Sequence, residues 1–292
     1  MALSEKLRSD LKNLGLDADY VQWISEATIK EDLDGGSDVT SVATIPTDQN
    51  SIAEYRARKA GTVAGLHIAA AVLETTGITD YSIKVEEGSR VEAGQLILEA
   101  RGNTRALLLS ERTALNFLGG LSGIATLTRR WVEEVKDFPV KIRDTRKTTP
   151  LHRELEKFAV RCGGGVNHRM SLSDAALIKD NHIVAAGGVT QAFEAVRKQF
   201  PTVEVEVEVD HLEQLRDVVA AGADLVLLDN MSIEQCRAAV EIVAGATRLE
   251  ASGGLTLENA KAYASTGVDY LAVGALTHSA VVLDIGLDLR MA

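Results

Sequence analysis

The residues of this chain best able to do chemistry are crowded into residues 141–182, KIRDTRKTTPLHRELEKFAVRCGGGVNHRMSLSDAALIKDNH. The protein as a whole is acidic, with 31 Lys and Arg against 42 Asp and Glu. Inside this window the balance reverses. Nine cations (Lys141, Arg143, Arg146, Lys147, Arg153, Lys157, Arg161, Arg169, Lys179) stand against five acids, and three of the six histidines (His152, His168, His182) lie among them. Cations gathered into one segment of an acidic protein suit a small polyanion better than nucleic acid. Arg and Lys set among Thr, Gly and Asn are suited to carboxylates and phosphates. A solvated basic helix accounts for residues 151–161, but not for DTRKTTP or GGGVNHRM, which do not read as helical.

The elements that must position these groups are repetitive from residue 139 onward. Strand-like runs VKIRD, AALIKD, TVEVEVEVD, DLVLLDN, RLEASGG and DYLAVGA alternate with helices expected over 189–200, 211–221, 232–244 and 256–266, with Asp210, Ser232 and Thr256 as N-caps. From Glu208 to Asp229 is 21 residues, from Asp229 to Ser252 is 23, and from Ser252 to Gly274 is 22. A strand, a helix and two turns consume about that much chain, so the spacing predicts parallel βα repeats, and its regularity favours an atypical barrel over an open sheet. Reactive groups in such barrels sit at the C-terminal strand ends. Those ends are Arg146 and Lys147, Lys179, Glu208, Asp229, Ser252 to Gly254, and Gly274.

The glycine turns SGG-LT and VGALTH, each before a helix, offer backbone N–H groups to a phosphate. Glu208 and Asp229, ending consecutive strands, suit ribose hydroxyls or a Mg²⁺ ion. No neighbouring histidine or lysine pattern marks them as a general acid and base. His168 rises above a structural role only through its neighbour Arg169, and Cys162 reads as structural. Alternation along a strand puts Glu204, Glu206 and Glu208 on one face, and Lys141, Arg143, Thr145 and Lys147 likewise. If Glu208 and Lys147 face the barrel mouth, an ionic layer is expected below, with Arg143 and Lys141 as partners for Glu206 and Glu204, because unpaired buried carboxylates are costly.

Ahead of the barrel, Leu3, Leu7, Leu11 and Leu14 predict a helix closed by Gly15, and a second helix starts near Asp19. EDLDGGSDVTS reads as a turn-rich connection. Strands are expected over 52–59 and 62–66, a helix over 67–76, and a hairpin in KVEEGSRVEAGQLILEA. That hairpin resembles lipoyl and biotinyl carriers, which makes a carrier or interaction module an alternative, although its turn lacks a modifiable lysine. One or two apolar helices follow from residue 106. The expected domains are 1–115, joined by the tail 281–292, and 116–280. Two cysteines indicate a reducing cytosol. The charged start MALSEKLRSD argues against a signal peptide, and no apolar run reaches the ~18–20 residues of a membrane span.

Taken together, NTRALLLSERTALNFLGGLSGIAT, RDTRKTTP, GGGVNHRMSLSDAALIKDNHI, EVEVD, LVLLDN, EASGG and VGALTHS resemble the quinolinate phosphoribosyltransferase family over nearly the whole chain. The resemblance implies an N-terminal α/β open-faced sandwich, a C-terminal α/β barrel, and a cytoplasmic homodimer. It implies condensation of quinolinate with phosphoribosyl pyrophosphate, with Mg²⁺ as cofactor, to nicotinate mononucleotide, pyrophosphate and carbon dioxide. It assigns substrate contacts to Arg105, Thr145, Arg146, Lys147, His168, Arg169, Lys179, Glu208, Asp229, Ser252, Gly253, Gly254, Val273, Gly274 and Ala275. Lys147, Glu208 and Asp229 would stand closest to the chemistry, the two carboxylates holding Mg²⁺ directly or through water. Arg105, Arg146, His168, Arg169 and Lys179 would take mainly quinolinate, with Arg105 reaching into the neighbouring subunit's barrel. Nicotinate phosphoribosyltransferase is the related alternative, but its substrate has one carboxylate, and this density of cations suits two.

Overall fold

In the computed structural model, which describes residues 2–292, the chain forms two units. The first takes in residues up to 127, with 154–164 and 279–292; the second takes in 128–153 and 165–278.

In the first unit, α1 (Glu5–Asn13) buries Leu7 and Leu11 and is capped by Ser4 Oγ, which accepts from the Leu7 N–H at 3.2 Å. Asp17 caps α2 (Ala18–Leu33) through its carboxylate. The stretch expected to be only a connection holds the end of α2 and the start of α3 (Val39–Thr44), because Asp38 accepts from the Ser41 N–H at 3.0 Å and so caps a helix there. There follow β1 (Asn50–Ala57), β2 (Gly61–Thr62), α4 (Leu66–Thr75), β3 (Asp80–Ile83), β4 (Arg90–Val91) and β5 (Leu96–Asn103). β1 and β3 flank β5 in an antiparallel sheet, and the chain's last strand, Ile285–Met291, pairs with the other edge of β1. The carrier-like hairpin does not form. β4 pairs with β2, while β5 pairs with β1 and β3. The strand expected over 62–66 is correspondingly cut to two residues.

A single helix, α5 (Thr104–Glu134), then runs for 31 residues. A boundary at 115/116 would fall inside it, and the first unit continues to Leu127. Its glycines do not break the helix; they admit another segment. A Cβ on Gly123 would stand 2.3 Å from the Val281 carbonyl oxygen.

The chain then runs through β6 (Lys141–Arg143), α6 (Arg153–Cys162), β7 (Ala175–Ile178), α7 (Asp180–Ala186), α8 (Val189–Gln199), β8 (Glu204–Val209), α9 (Leu212–Ala221), β9 (Leu225–Asp229), α10 (Ile233–Val243), β10 (Arg248–Ser252), α11 (Leu257–Ala264), β11 (Tyr270–Ala272) and α12 (Ala275–His278), all but α6 in the second unit. From Glu154 onward α6 belongs to the first unit, where Leu155, Phe158 and Ala159 are buried. It is therefore not a solvated basic helix, and even Lys157 is fully buried. The six strands are parallel in the order β6-β11-β10-β9-β8-β7, and Val166 bridges to the other side of β6 at Arg143. This is an α/β barrel with an irregular seam where its first repeat is short of strand. β9 is buried from Leu225 to Leu228, as expected for a parallel strand covered on both faces. Ser232 and Thr256 cap α10 and α11. For α9 the cap is His211 rather than Asp210, because Gln214 Oε1 reaches back to the N–H groups of both residues at 3.1 and 3.2 Å. Among the described residues, no helix is long and apolar enough to cross a membrane.

Candidate active site

Parallel register places the strand ends at one level. Ile178 stands beside Val207, so Lys179 follows next to Glu208, and Asp229, Ser252, Ala272 and Arg143 are successive partners across β9, β10, β11 and β6. A cleft of about 330 Å³ opens there. Thr145, Arg146 and Lys147 line it after β6, His168 and Arg169 before β7, Lys179 after β7, and Glu208, Asp229 and Ser252 from the middle strands.

The other expected residues lie elsewhere. Val273 is buried and its N–H donates to the Arg143 carbonyl at 2.9 Å. Gly274 borders Lys147: a Cβ there would be 3.1 Å from Lys147 Cδ, so the missing side chain leaves room for the lysine stem. Ala275 opens α12. Arg105 belongs to the first unit, where its guanidinium donates to the carbonyls of Val42 at 3.1 Å and Ile45 at 2.9 Å.

Within the cleft, Lys179 Nζ donates to Glu208 Oε2 at 2.6 Å, and Asn230 Nδ2 donates to Asp229 Oδ2 at 2.7 Å. Asn230 holds a left-handed φ of 52°, and its N–H donates to the Ser252 carbonyl at 2.9 Å. A Cβ at Gly253 (φ 87°) would sit 2.1 Å from Asn230 Oδ1, so Asn230 demands the glycine at this turn. Gly254 follows at φ 62° with open space around its Cα. Arg146 and Arg169 each carry a buried Nε that lacks a partner among the described residues. Burial, and then the charge of Arg146, pull the Arg169 guanidinium below the usual arginine range.

Beneath the cleft lies a charged layer whose partners differ from those expected. Arg143 donates to Glu250 Oε2 at 2.8 Å and stacks over the Tyr270 ring. Glu206 Oε2 instead faces His168 Nε2 at 2.6 Å, and Glu204 pairs with Arg248. Lys141 is exposed and pairs with none of them. Glu250 was missed, although it lies two residues before Ser252 and so shares its inward face. Burial first, and the Glu206 charge second, push the Glu250 carboxyl up to about 7.

His168, Glu206 and Glu250 are close enough to hold a metal. The arginine already on Glu250 makes them a poor cation site. Glu208 and Asp229 fit one better. They are hard oxygen donors on neighbouring strands, each with one oxygen unengaged among the described residues. A larger hollow of about 610 Å³ lies at the opposite strand ends. Its acids are committed, Asp224 to Arg197 and the Val205 N–H, and Asp269 to the Leu249 N–H.

Comparison with known proteins matches the chain to one family in two parts. The profile described as quinolinate phosphoribosyl transferase, C-terminal domain, matches residues 124–288, and that for the N-terminal domain matches residues 38–122. The nicotinate-nucleotide pyrophosphorylase [carboxylating] of Mycobacterium leprae is 51% identical over 267 residues, covering 89% of this chain and 94% of its own. The crystal structure of NadC from Streptococcus pyogenes superposes with a TM-score of 0.90 at 39% identity, covering 95% of this chain and 99% of that one. Human nicotinic acid phosphoribosyltransferase shares the fold alone, with a TM-score of 0.60 at 13% identity, covering 91% of this chain and 73% of its own. With both domains matched in order, and with about half of the aligned residues identical to those of a carboxylating relative, the chain belongs to the quinolinate phosphoribosyltransferase family.

Proposed function

We propose that the enzyme transfers the phosphoribosyl group of phosphoribosyl pyrophosphate to the ring nitrogen of quinolinate and releases the 2-carboxylate as carbon dioxide, forming nicotinate mononucleotide for NAD synthesis. The observation that carries this reading is the convergence of Arg146, Lys147, Arg169 and Lys179 on one cleft with Glu208 and Asp229. Two substrates that together bring two carboxylates, a phosphate and a pyrophosphate need that excess of positive charge, and the carboxylates suit ribose hydroxyls.

Arg146 and Arg169, with unpartnered buried Nε groups, would clamp the dicarboxylate. Lys179 now holds Glu208, so it would turn to quinolinate as Glu208 takes the ribose. Lys147, exposed and alongside Gly274, would stand between the substrates. His168 and Thr145 would complete the quinolinate side, while Ser252, Gly253, Gly254, Val273, Gly274 and Ala275 would cradle the 5′-phosphate.

The new C–N bond forms as the C–O bond to pyrophosphate breaks, through a cationic sugar that electrostatics and alignment stabilise without a protein nucleophile. The ring nitrogen is then positive, and the electron pair left on C2 by departing carbon dioxide is stabilised beside it before a proton replaces the carboxylate. Glu208 and Asp229 would hold Mg²⁺, directly or through water, and the ion would offset charge on the pyrophosphate.

The active form would be a cytoplasmic homodimer with shared sites. Arg105, held on the carbonyl of the exposed Val42 of α3, would be the residue each subunit lends to its partner.

The test is an assay of the purified protein with the sugar donor and either quinolinate or nicotinate. Turnover with quinolinate and evolution of carbon dioxide are expected; turnover with nicotinate alone would overturn the substrate.

A further inference from the structure

We propose that Glu206 is a positioning residue for this site: it fixes the ring of His168, and His168 in turn holds the backbone of Arg169 where that arginine meets the pyridine dicarboxylate. The proposal rests on the function given above and adds a residue that does not itself line the cleft.

Both ring nitrogens of His168 are engaged. The Arg169 N–H donates to Nδ1 at 2.8 Å, so Nδ1 carries no proton. Nε2 therefore bears the hydrogen and donates it to Glu206 Oε2 at 2.6 Å. A carboxylate on one nitrogen thus selects the tautomer that lets the other nitrogen accept, the same logic by which outer-shell carboxylates orient histidines at metal sites. The ring is held from its backbone side as well, because the His168 N–H donates to Asp144 Oδ1 at 2.8 Å.

Little else could replace Glu206. The His168 side chain is 9% exposed and that of Glu206 4%, so water has poor access to a ring nitrogen left without an acceptor. Glu250 Oε1 lies 3.8 Å from Nε2, beyond hydrogen-bond distance, and Arg143 ties that carboxylate down through its other oxygen. Arg169 is consequently fixed at two points, its N–H on His168 and its NH1 on the Ala175 carbonyl at 2.9 Å. Its buried Nε is left without a partner among the described residues. Strand alternation explains how one strand serves both levels: β8 presents Glu208 to the cleft and, two residues earlier on the same face, Glu206 to the layer beneath.

The test compares the wild type with Glu206→Ala and Glu206→Gln. Imidazole ¹⁵N shifts of His168 should show the neutral Nε2–H tautomer in the wild type, and the Nδ1–H form there would overturn the proposal without reference to activity. In Glu206→Ala the KM for quinolinate should rise roughly tenfold or more, as for a buried donor left unpaired, while that for the sugar donor changes less than about threefold. Glu206→Gln keeps an acceptor for Nε2–H and should stay within about threefold of the wild type for both substrates. A carboxylate that only supports the fold would raise both KM values alike in Glu206→Ala, or leave the glutamine variant as impaired as the alanine one; either result overturns the proposal. If Glu206→Ala does not fold, the tautomer and Glu206→Gln decide alone. A wild type that does not turn over quinolinate would instead overturn the function.

Discussion

Replacing Glu250 with glutamine should flatten the pH dependence of stability. Glu250 is fully buried and its carboxyl is pushed from 4.5 to about 7, by burial first and by Glu206 second, against the opposing pull of Arg143. The folded protein therefore holds this proton more tightly than the unfolded chain does. The resulting stabilisation is complete below about pH 4.5, declines as pH rises, and is gone above about pH 7. A gap of that size corresponds to a contribution on the order of 3 kcal/mol. Glutamine has nearly the same shape, retains an oxygen for the Arg143 NH1, and does not titrate in this range. Groups unaffected by the substitution titrate alike in both proteins and cancel in their difference. Urea unfolding of both proteins from pH 4.5 to 8 should show the variant gaining on the wild type by on the order of 3 kcal/mol as pH rises. Parallel stability curves would mean instead that Glu250 ionises as readily in the fold as out of it.

Arg146→Ala and Arg169→Ala should each weaken quinolinate by about tenfold or more, and the sugar donor less, with Asp229→Asn biased the other way; calorimetric titration of each ligand decides this. Gly253→Ala places a methyl where Asn230 Oδ1 lies 2.1 Å away and keeps a φ of 87°, so the melting temperature should fall. Adding Asn230→Gly should recover part of that loss, and no recovery would mean Asn230 is not the obstacle. Homodimers of Arg105→Ala and of Lys147→Ala should be nearly inactive alone, yet regain activity when mixed with subunit exchange, because one shared site of a heterodimer carries neither substitution. Mixed dimers as inactive as their parents would argue against a shared site.

Much of the site was legible because strand alternation and repeat spacing are local. The period of two put Glu204, Glu206 and Glu208 on one inward face, and the spacing from Glu208 to Gly274 located four strand ends. What could not be read was which charge meets which across the barrel. Arg143 reaches Glu250 two strands away in the sheet order and leaves Glu206 to His168, a choice set by barrel radius and strand stagger.

Nearness in sequence also misled. Lys157 and Arg161 sit among the cations of the site, but the apolar face of α6 carries them into the first unit, where Arg161 donates to the Leu14 carbonyl at 3.0 Å. The apolar stretch from residue 106 was open to one helix or two, with a domain boundary expected at 115/116. In the fold, Gly119 and Gly123 are points where residues 281–283 cross a continuous helix.

The proposed reaction joins a sugar to a pyridine dicarboxylate in this cleft and removes the carboxylate beside the new bond. It is tested most directly with two quinolinate samples, one carrying ¹³C in the 2-carboxylate and one in the 3-carboxylate, each incubated with the sugar donor and Mg²⁺. The expected result is one equivalent of labelled carbon dioxide per nicotinate mononucleotide from the first sample, and full retention of label in the nucleotide from the second. Nucleotide that keeps both carboxylates, or label lost from the 3-position, would contradict it.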